Sequence, residues 1–452
     1  MTLEGSKKYK MGKFTLNNGH PEGSICKQFA MNELSEMLKT CFIGCKIKTP
    51  VWTGNIDMKS GLLQSTGIIG SLRWWTEAIL RAMDKYACDP TGDGRCPEED
   101  RNKYCSACLI FGATGIRRQF RLNTSGGIRT FSGSDLNIKP SGRNTGWYLG
   151  SGVVGEIDLE ITPLDKDFDK SLVLLPLVIA SSWGGIGAKI QHGYGIVEIR
   201  DCLEINFEQF KNAIEKLTDK ERLSKFGINL RQQGNDGHPN LKEMFFAKVQ
   251  FEVTDTDWWK EVDGIKQALK PENKKGEDLQ QRNEQILTSW FNTGSVPIAP
   301  VIKNWLRYGK EITTKRGKRI QVSPFKEVSN IEISKWLFGI SEENVKTASR
   351  INISCAYAIN DNLWEFRIWG WVPKDGLPAG FDRDSFLNVL KQVLDGSGFV
   401  TVPWNELLGN QTKNHKLKVW REYNSPRDTV KPNESDISDY IQSLFGGEGN
   451  DL

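Results

Sequence analysis

Histidine is nearly absent: there are four residues in a chain of 452, none close to another. General acid–base chemistry at neutral pH leans on histidine or on a tuned carboxylate. Neither a His–Lys–Tyr group nor a paired-carboxylate cluster can be assembled from this sequence, which speaks against intrinsic catalysis. Long apolar runs are missing too. The longest, 172–180, contains Pro176 and falls far short of the roughly 20 residues that span a bilayer. No apolar region follows the opening Met-Thr-Leu-Glu-Gly-Ser-Lys-Lys, so no signal peptide is read there, and the expected location is the cytoplasm, with no membrane partner. Charge of one sign is not in excess. A net charge of +4 is too small to indicate a nucleic-acid partner by itself, so the distribution of charge must decide. Nine cysteines are an odd count for a disulfide framework; reduced thiols or a metal site are expected instead.

What the chain does have is a stretch dense in glycine, Trp183-Gly-Gly-Ile-Gly-Ala-Lys-Ile-Gln-His-Gly-Tyr-Gly195. Gly184, Gly185, Gly187, Gly193 and Gly195 permit positive φ and close backbone approach. Lys189 and His192 sit among them with no acidic residue. Such a loop suits gripping a phosphate chain through backbone N–H groups and a lysine. A dinucleotide fingerprint is excluded twice over. It would need glycine at Ile190, and its loop runs from strand to helix, whereas the order expected here is helix (172–180), loop, strand (195–200). A flexible surface turn stays open as the alternative.

The elements around this loop follow from periodicity. Residues 41–48 alternate as a strand with Lys46 and Lys48 on one face, and Thr49-Pro50 should end it. A loop, 51–67, leads to a helix expected to open at Gly70-Ser71, with Ser71 as N-cap. Leu72, Trp75, Ile79, Met83 and Tyr86 face the core; Arg73 and Glu77 lie on the other side and are spaced to pair. Arg117, Arg118 and Arg121 fall in a short strand-like run. The polar stretch 123–152 reads as a surface loop or hairpin, and 156–162 as a half-buried strand. The order is β-α-β-β-α-β. A helix at 205–217 and a loop at 231–239 follow. The pattern then restarts, with strands at 245–253, 349–355, 364–371 and 417–420 and helices from 301 and at 381–394. Two phrases recur. Leu72-Arg73, then Cys108-Leu-Ile-Phe-Gly112 and Arg118-Gln-Phe-Arg-Leu122, are echoed by Leu306-Arg307, Trp336-Leu-Phe-Gly339 and Ser349-Arg-Ile-Asn-Ile353.

These pieces resemble the RAMP superfamily of CRISPR RNA-binding proteins. The matching features are a strand with Thr49-Pro50, Gly70-Ser-Leu-Arg-Trp-Trp75, Ile110-Phe-Gly112 and the glycine loop. The Leu-Arg-Trp-Trp phrase looks most like the first-numbered subunit of the type III-B Cmr effector complex. The resemblance implies an α+β chain of two ferredoxin-like (RRM-like) RAMP domains in tandem, 1–240 and 241–452. It also implies a structural subunit in antiviral defence. The expected role is to hold the 3′ part of a guide RNA and its duplex with target RNA, beside other RAMP subunits. Carried over by position, the RNA contacts would be Arg73, Trp74, Lys189 and His192, with Gly184, Gly185 and Gly187 in the loop. Lys46, Lys48, Arg117 and Arg118 join them as basic candidates. A guide-RNA-processing endonuclease of the same superfamily, with His192 as acid or base, and a purely protein-bridging subunit with tryptophan anchors are the alternatives. Cutting subunits of such effectors use an acid in the loop after the first strand. That loop here holds only Asp57, without partners.

Two features rest on chemistry alone. Cys88, Cys96, Cys105 and Cys108 are spaced C-x7-C-x8-C-x2-C, inside an insertion, 88–108, with little to bury. Such a segment needs a staple, and a structural zinc held by four thiolates supplies one. The stretch 301–326 holds Lys303, Arg307, Lys310, Lys315, Arg316, Lys318, Arg319 and Lys326 against one acid, Glu311. Such focusing in a nearly neutral chain points to a phosphate backbone.

Overall fold

The first strand, β1 (Cys41–Val51), alternates as expected but continues through Pro50. Proline has no N–H to give a ladder, and at this point none is needed. The Lys48 and Thr49 N–H groups donate to Ile196 O at 2.9 and 3.2 Å, and Pro50 O accepts from Gly195 N at 2.9 Å. The first helix, α1 (Ser65–Ala82), also starts earlier than the capping signal suggested. Ser71 is not its cap but an interior residue. Its hydroxyl donates to Gly67 O at 3.2 Å and accepts the Gly187 N–H at 2.8 Å, tying the helix to the glycine loop. Leu72, Trp75 and Ile79 are buried as their spacing requires, and so are Thr76, Glu77, Ala78 and Leu80. The helix is therefore covered on nearly every side, and Glu77 is tolerable there because Arg73 and Arg81 face it, at 2.8 and 3.8 Å.

The computed structural model describes residues 40–55, 60–97, 102–201, 205–233, 237–270, 276–313, 319–322, 325, 330–341 and 346–445. After α1 come α2 (Ser106–Phe111), β2 (Phe120–Arg129), β3 (Val153–Pro163), α3 (Ser171–Trp183) and β4 (Val197–Ile199). The sheet order is β2-β3-β1-β4, with β2 antiparallel to β3 and β4 antiparallel to β1. The stretch 123–152 is more than a surface loop. It extends β2 and then forms the hairpin Leu136–Ile138/Trp147–Leu149, whose Leu136, Ile138 and Leu149 are fully buried. Their apolar side chains alternate inside polar sequence, which hid the signal.

The second sheet is built from β5 (Met244–Val253), β6 (Ala356–Ala358), β7 (Leu363–Trp371) and β8 (Thr412–Glu422). Its order is β6-β7-β5-β8, with Ser295–Val296 outside β6 and Ile351–Ile353 also paired to β7. The four labelled strands of each sheet thus run second, third, first, fourth in chain order. Helices α4 (Ala299–Tyr308) and α5 (Ile331–Phe338) precede β6, and α6 (Arg383–Asp395) lies between β7 and β8. Many of the tryptophans are spent on core: Trp75, Trp258, Trp290, Trp369 and Trp420 are fully buried. Residues Phe42–Leu452 form one compact unit. The second sheet packs on the helices of the first half: Phe246 on β5 stacks on Trp75 of α1 and packs against Trp183 of α3, with ring centroids 6.3 and 6.0 Å apart. Arg367 on β7 donates to Ser181 O at 2.6 Å and Gly184 O at 3.3 Å.

The recurring phrases mark matching structures. Arg73 Nη1 donates to Gly112 O at 3.1 Å, and Arg307 Nη1 donates to Gly339 O at 3.2 Å. Each glycine closes a short helix at positive φ, 84° and 76°. Beyond it, Gln119 N bonds Ile110 O at 3.0 Å, and Arg350 N bonds Leu337 O at 2.9 Å.

Candidate functional site

The glycine stretch is largely bonded to the protein itself. Gly184 N–H goes to Ala180 O, Ile186 N–H to Gly195 O, Ala188 N–H to Trp52 O and Gly195 N–H to Pro50 O. Gly187 N–H goes to Ser71. Gly184 and Gly187 therefore do not offer free N–H groups to a phosphate as the sequence suggested. Their lack of a side chain serves packing. A Cβ at Gly184 would lie 2.2 Å from the Trp75 ring, and one at Gly187, with φ at 86°, 2.8 Å from Trp52 O.

Lys189 has the left-handed φ of 57°, uncommon for a residue with a side chain. Its ammonium lies 4.5 Å from the Trp52 ring centroid. His192 packs edge-on to Trp147 at 5.1 Å, and its Nδ1 is buried without a hydrogen-bond partner among the described residues. Burial first, and then Lys303 and Lys189, push the imidazole down to about 4, so it is neutral at pH 7. Lys303 joins this group from α4, with its ammonium 5.4 Å from the Trp147 ring centroid. It is buried rather than offered to solvent, because α4 turns it inward against the first half. Burial, and then Arg307, push it down to about 7. Lys303 thus converges with Lys189 and His192, more than a hundred residues earlier in the chain.

Arg73 is committed inward. Its Nε donates to Glu77 at 2.8 Å, its Nη1 to Gly112 O and its Nη2 to Cys108 Sγ at 3.1 Å. Arg307 is likewise occupied by Ser334 Oγ at 3.1 Å and Gly339 O. Both act as braces, a use that their reading as RNA contacts did not foresee. Trp74, edge-on to Trp75 at 5.0 Å, lines a cavity of about 650 Å³ together with Lys189. Trp336, Arg350 and Trp371 line it from the second half. None of those three was read as a site residue in the sequence, although Trp336 and Arg350 lie within the recurring phrases. Lys46 is exposed and Lys48 half-buried on β1, with Lys48 3.6 Å from Glu198. Arg117 donates to Leu164 O at 3.0 Å and Arg118 to Phe120 O at 2.7 Å; both line a separate cavity with Arg222 and Asp165. Asp57, Lys315, Arg316, Lys318 and Lys326 lie outside the described residues. The flanking Lys310–Thr313 and Arg319–Val322 pair as a hairpin.

The four cysteines of the insertion do meet. Their sulfurs all lie within 4.8 Å of one another, and all four residues are buried. Cys88 Sγ is 3.5 Å from Cys108 Sγ and 3.7 Å from Cys105 Sγ. Four thiolates around a tetrahedral zinc at about 2.3 Å stand roughly 3.8 Å apart, so the spacing fits, while a disulfide needs about 2.05 Å. The surroundings fit as well: Cys88 N–H points at Cys105 Sγ and Cys105 N–H at Cys96 Sγ, at 3.5 and 3.4 Å. Arg73 adds a positive donor to Cys108 Sγ, which suits sulfurs that carry negative charge. The cluster can hold a metal ion.

Residues 45–198, spanning β1 through the glycine loop into β4, match the model of the RAMP superfamily. No curated protein sequence matches the chain. Among solved structures, the chain is similar to Cmr1 from Pyrococcus furiosus in its apo form, at 14% identity and a TM-score of 0.32, covering 76% of this chain and 91% of that one. It is also similar to a chain of the type III-B Cmr-beta complex bound to cognate target RNA, at 11% identity and a TM-score of 0.29, covering 73% of this chain and 94% of that one.

Proposed function

We propose that the protein is an RNA-holding subunit of a type III-B CRISPR effector ribonucleoprotein. On this reading it consists of two tandem ferredoxin-like RAMP domains, 1–240 and 241–452. They hold the 3′ part of a guide RNA and its duplex with target RNA, beside other RAMP subunits in the cytoplasm. The observation that carries the proposal is the placement of Lys189. It stands on the glycine loop inside the RAMP-matched span and shares a cavity with Trp74, so a cation and an aromatic face meet where the superfamily holds RNA. Four cysteines within bonding distance of one ion support a structural zinc, which would fix the 88–108 insertion without an open position for chemistry. No helix among the described residues is long and apolar enough to cross a membrane.

His192 favours holding over cutting. A general acid or base works best with a pKa near the operating pH, and burial keeps this imidazole at about 4. RNA affinity measured against salt tests the proposal. Backbone contacts make the logarithm of affinity fall linearly with that of salt, by about 0.7 per phosphate for single strands. A flat response, or strong preference for one sequence, would overturn it.

A further inference from the structure

The cavity lined by α1, the glycine loop and the second half has features that phosphate holding alone does not use. Arg350 is half-buried, and its guanidinium lies between two indoles, 4.4 Å from the Trp336 centroid and 4.3 Å from the Trp371 centroid. Its backbone is pinned on both sides. Its N–H bonds Leu337 O at 2.9 Å, and its carbonyl accepts the Trp371 N–H at 3.1 Å. Trp371 is itself fixed by Nε1–H to Glu243 at 2.9 Å. Among the described residues no carboxylate forms an ion pair with Arg350, and the lining of the cavity contains none. Lys189 brings a second cation from the glycine loop, and Trp74 a third indole. A volume of about 650 Å³ lies within the usual range for small-molecule sites.

Flat apolar walls with two cations, and no carboxylate in the lining itself because Glu243 is taken up by Trp371 Nε1–H and the Lys374 N–H, are complementary to a flat, aromatic, negatively charged group. We infer that this cavity receives one unstacked nucleotide of the bound RNA strand, its base against the tryptophan faces and its phosphate toward Lys189 and Arg350. The inference rests on the RNA-holding reading and adds to it a base-stacking site shared by both halves. Recognition of single-stranded RNA commonly splays a base onto aromatic side chains or arginine planes. The guanidinium stacked between Trp336 and Trp371 holds those rings in place before any ligand arrives.

The test compares two single-stranded RNAs of equal length on the full chain, one with ordinary bases and one a ribose-phosphate strand of abasic residues. The ordinary strand should bind on the order of ten-fold more tightly, the usual size of a stacking contact. That advantage should vanish in Trp74→Ala and in Arg350→Gln. Arg350→Gln keeps the backbone bonds of residue 350, and it decides the matter if Trp74→Ala does not fold. Equal binding of the two strands with a steep salt dependence would overturn the cavity's role and leave phosphate holding intact. Persistence of the advantage in folded variants would place stacking elsewhere and also overturn it. Binding of neither strand would overturn both readings.

Discussion

Lys303 carries a charge into the interior, and the charge has no carboxylate to meet it among the described residues. The Trp147 ring is its facing partner, and Arg307 and His192 stand nearby as further basic groups. The ammonium falls from 10.5 in its ordinary setting to about 7 in the folded chain. A lysine whose folded pKa is lowered costs stability in full below the folded value. The cost fades as pH rises from about 7 toward 10.5, because there the unfolded chain binds the proton that the folded chain has released. At about 1.36 kcal/mol per pH unit, the charged group costs roughly 5 kcal/mol at pH 6 and about 1.4 kcal/mol at pH 9.5. Lys303→Met keeps the length of the side chain and removes the charge. The variant should be more stable than the parent at pH 6, and the gain should shrink by about 3 kcal/mol by pH 9.5. Urea denaturation of both proteins at the two pH values measures this. A Lys303→Met chain that is less stable at both pH values by the same amount would refute the reasoning, since the ammonium would then be making a favourable contact.

Elemental analysis of protein purified without chelator should find about one zinc per chain. Cys105→Ser should lose it and expose 88–108 to proteases; a metal-free parent would remove the centre. Gly187→Ala should cost about 1–3 kcal/mol, because it forces a side chain to a φ of 86° with Trp52 O in the way. Denaturation that shows no change would mean the loop relaxes freely.

The parts of the fold that were legible in the sequence are those set by local pattern. The alternation at 41–48 gave β1, and the helical run 172–180 falls within α3. The cysteine spacing foretold the cluster because C-x2-C places two sulfurs on one turn and the remaining pair had nothing else to bury. Pro50 misled because whether a missing N–H matters depends on the neighbouring strand, not on the proline. Ser71 misled because its hydroxyl is claimed by Gly187, 116 residues on. The stacked group Trp336, Arg350 and Trp371 could not be read at all. Ile351 pairs with Gly370 in the register of Ile351–Ile353 and β7, and only that pairing brings Arg350 beside Trp371. Lys303 was chosen for its charge, but sequence does not say which way a helix turns its lysines.

The matching arginine braces give the two halves a relative chronology. Taken as descendants of one ancestral unit, both halves keep an arginine that ties a helix to the glycine ending the next short helix, so that tie belonged to the common parent. The cysteines stand beside only one of the two arginines, and the stacked tryptophans beside only the other half's second strand. Each is then a feature of one copy alone. In the first copy the shared arginine serves two neighbours at once, the Gly112 carbonyl and the Cys108 sulfur.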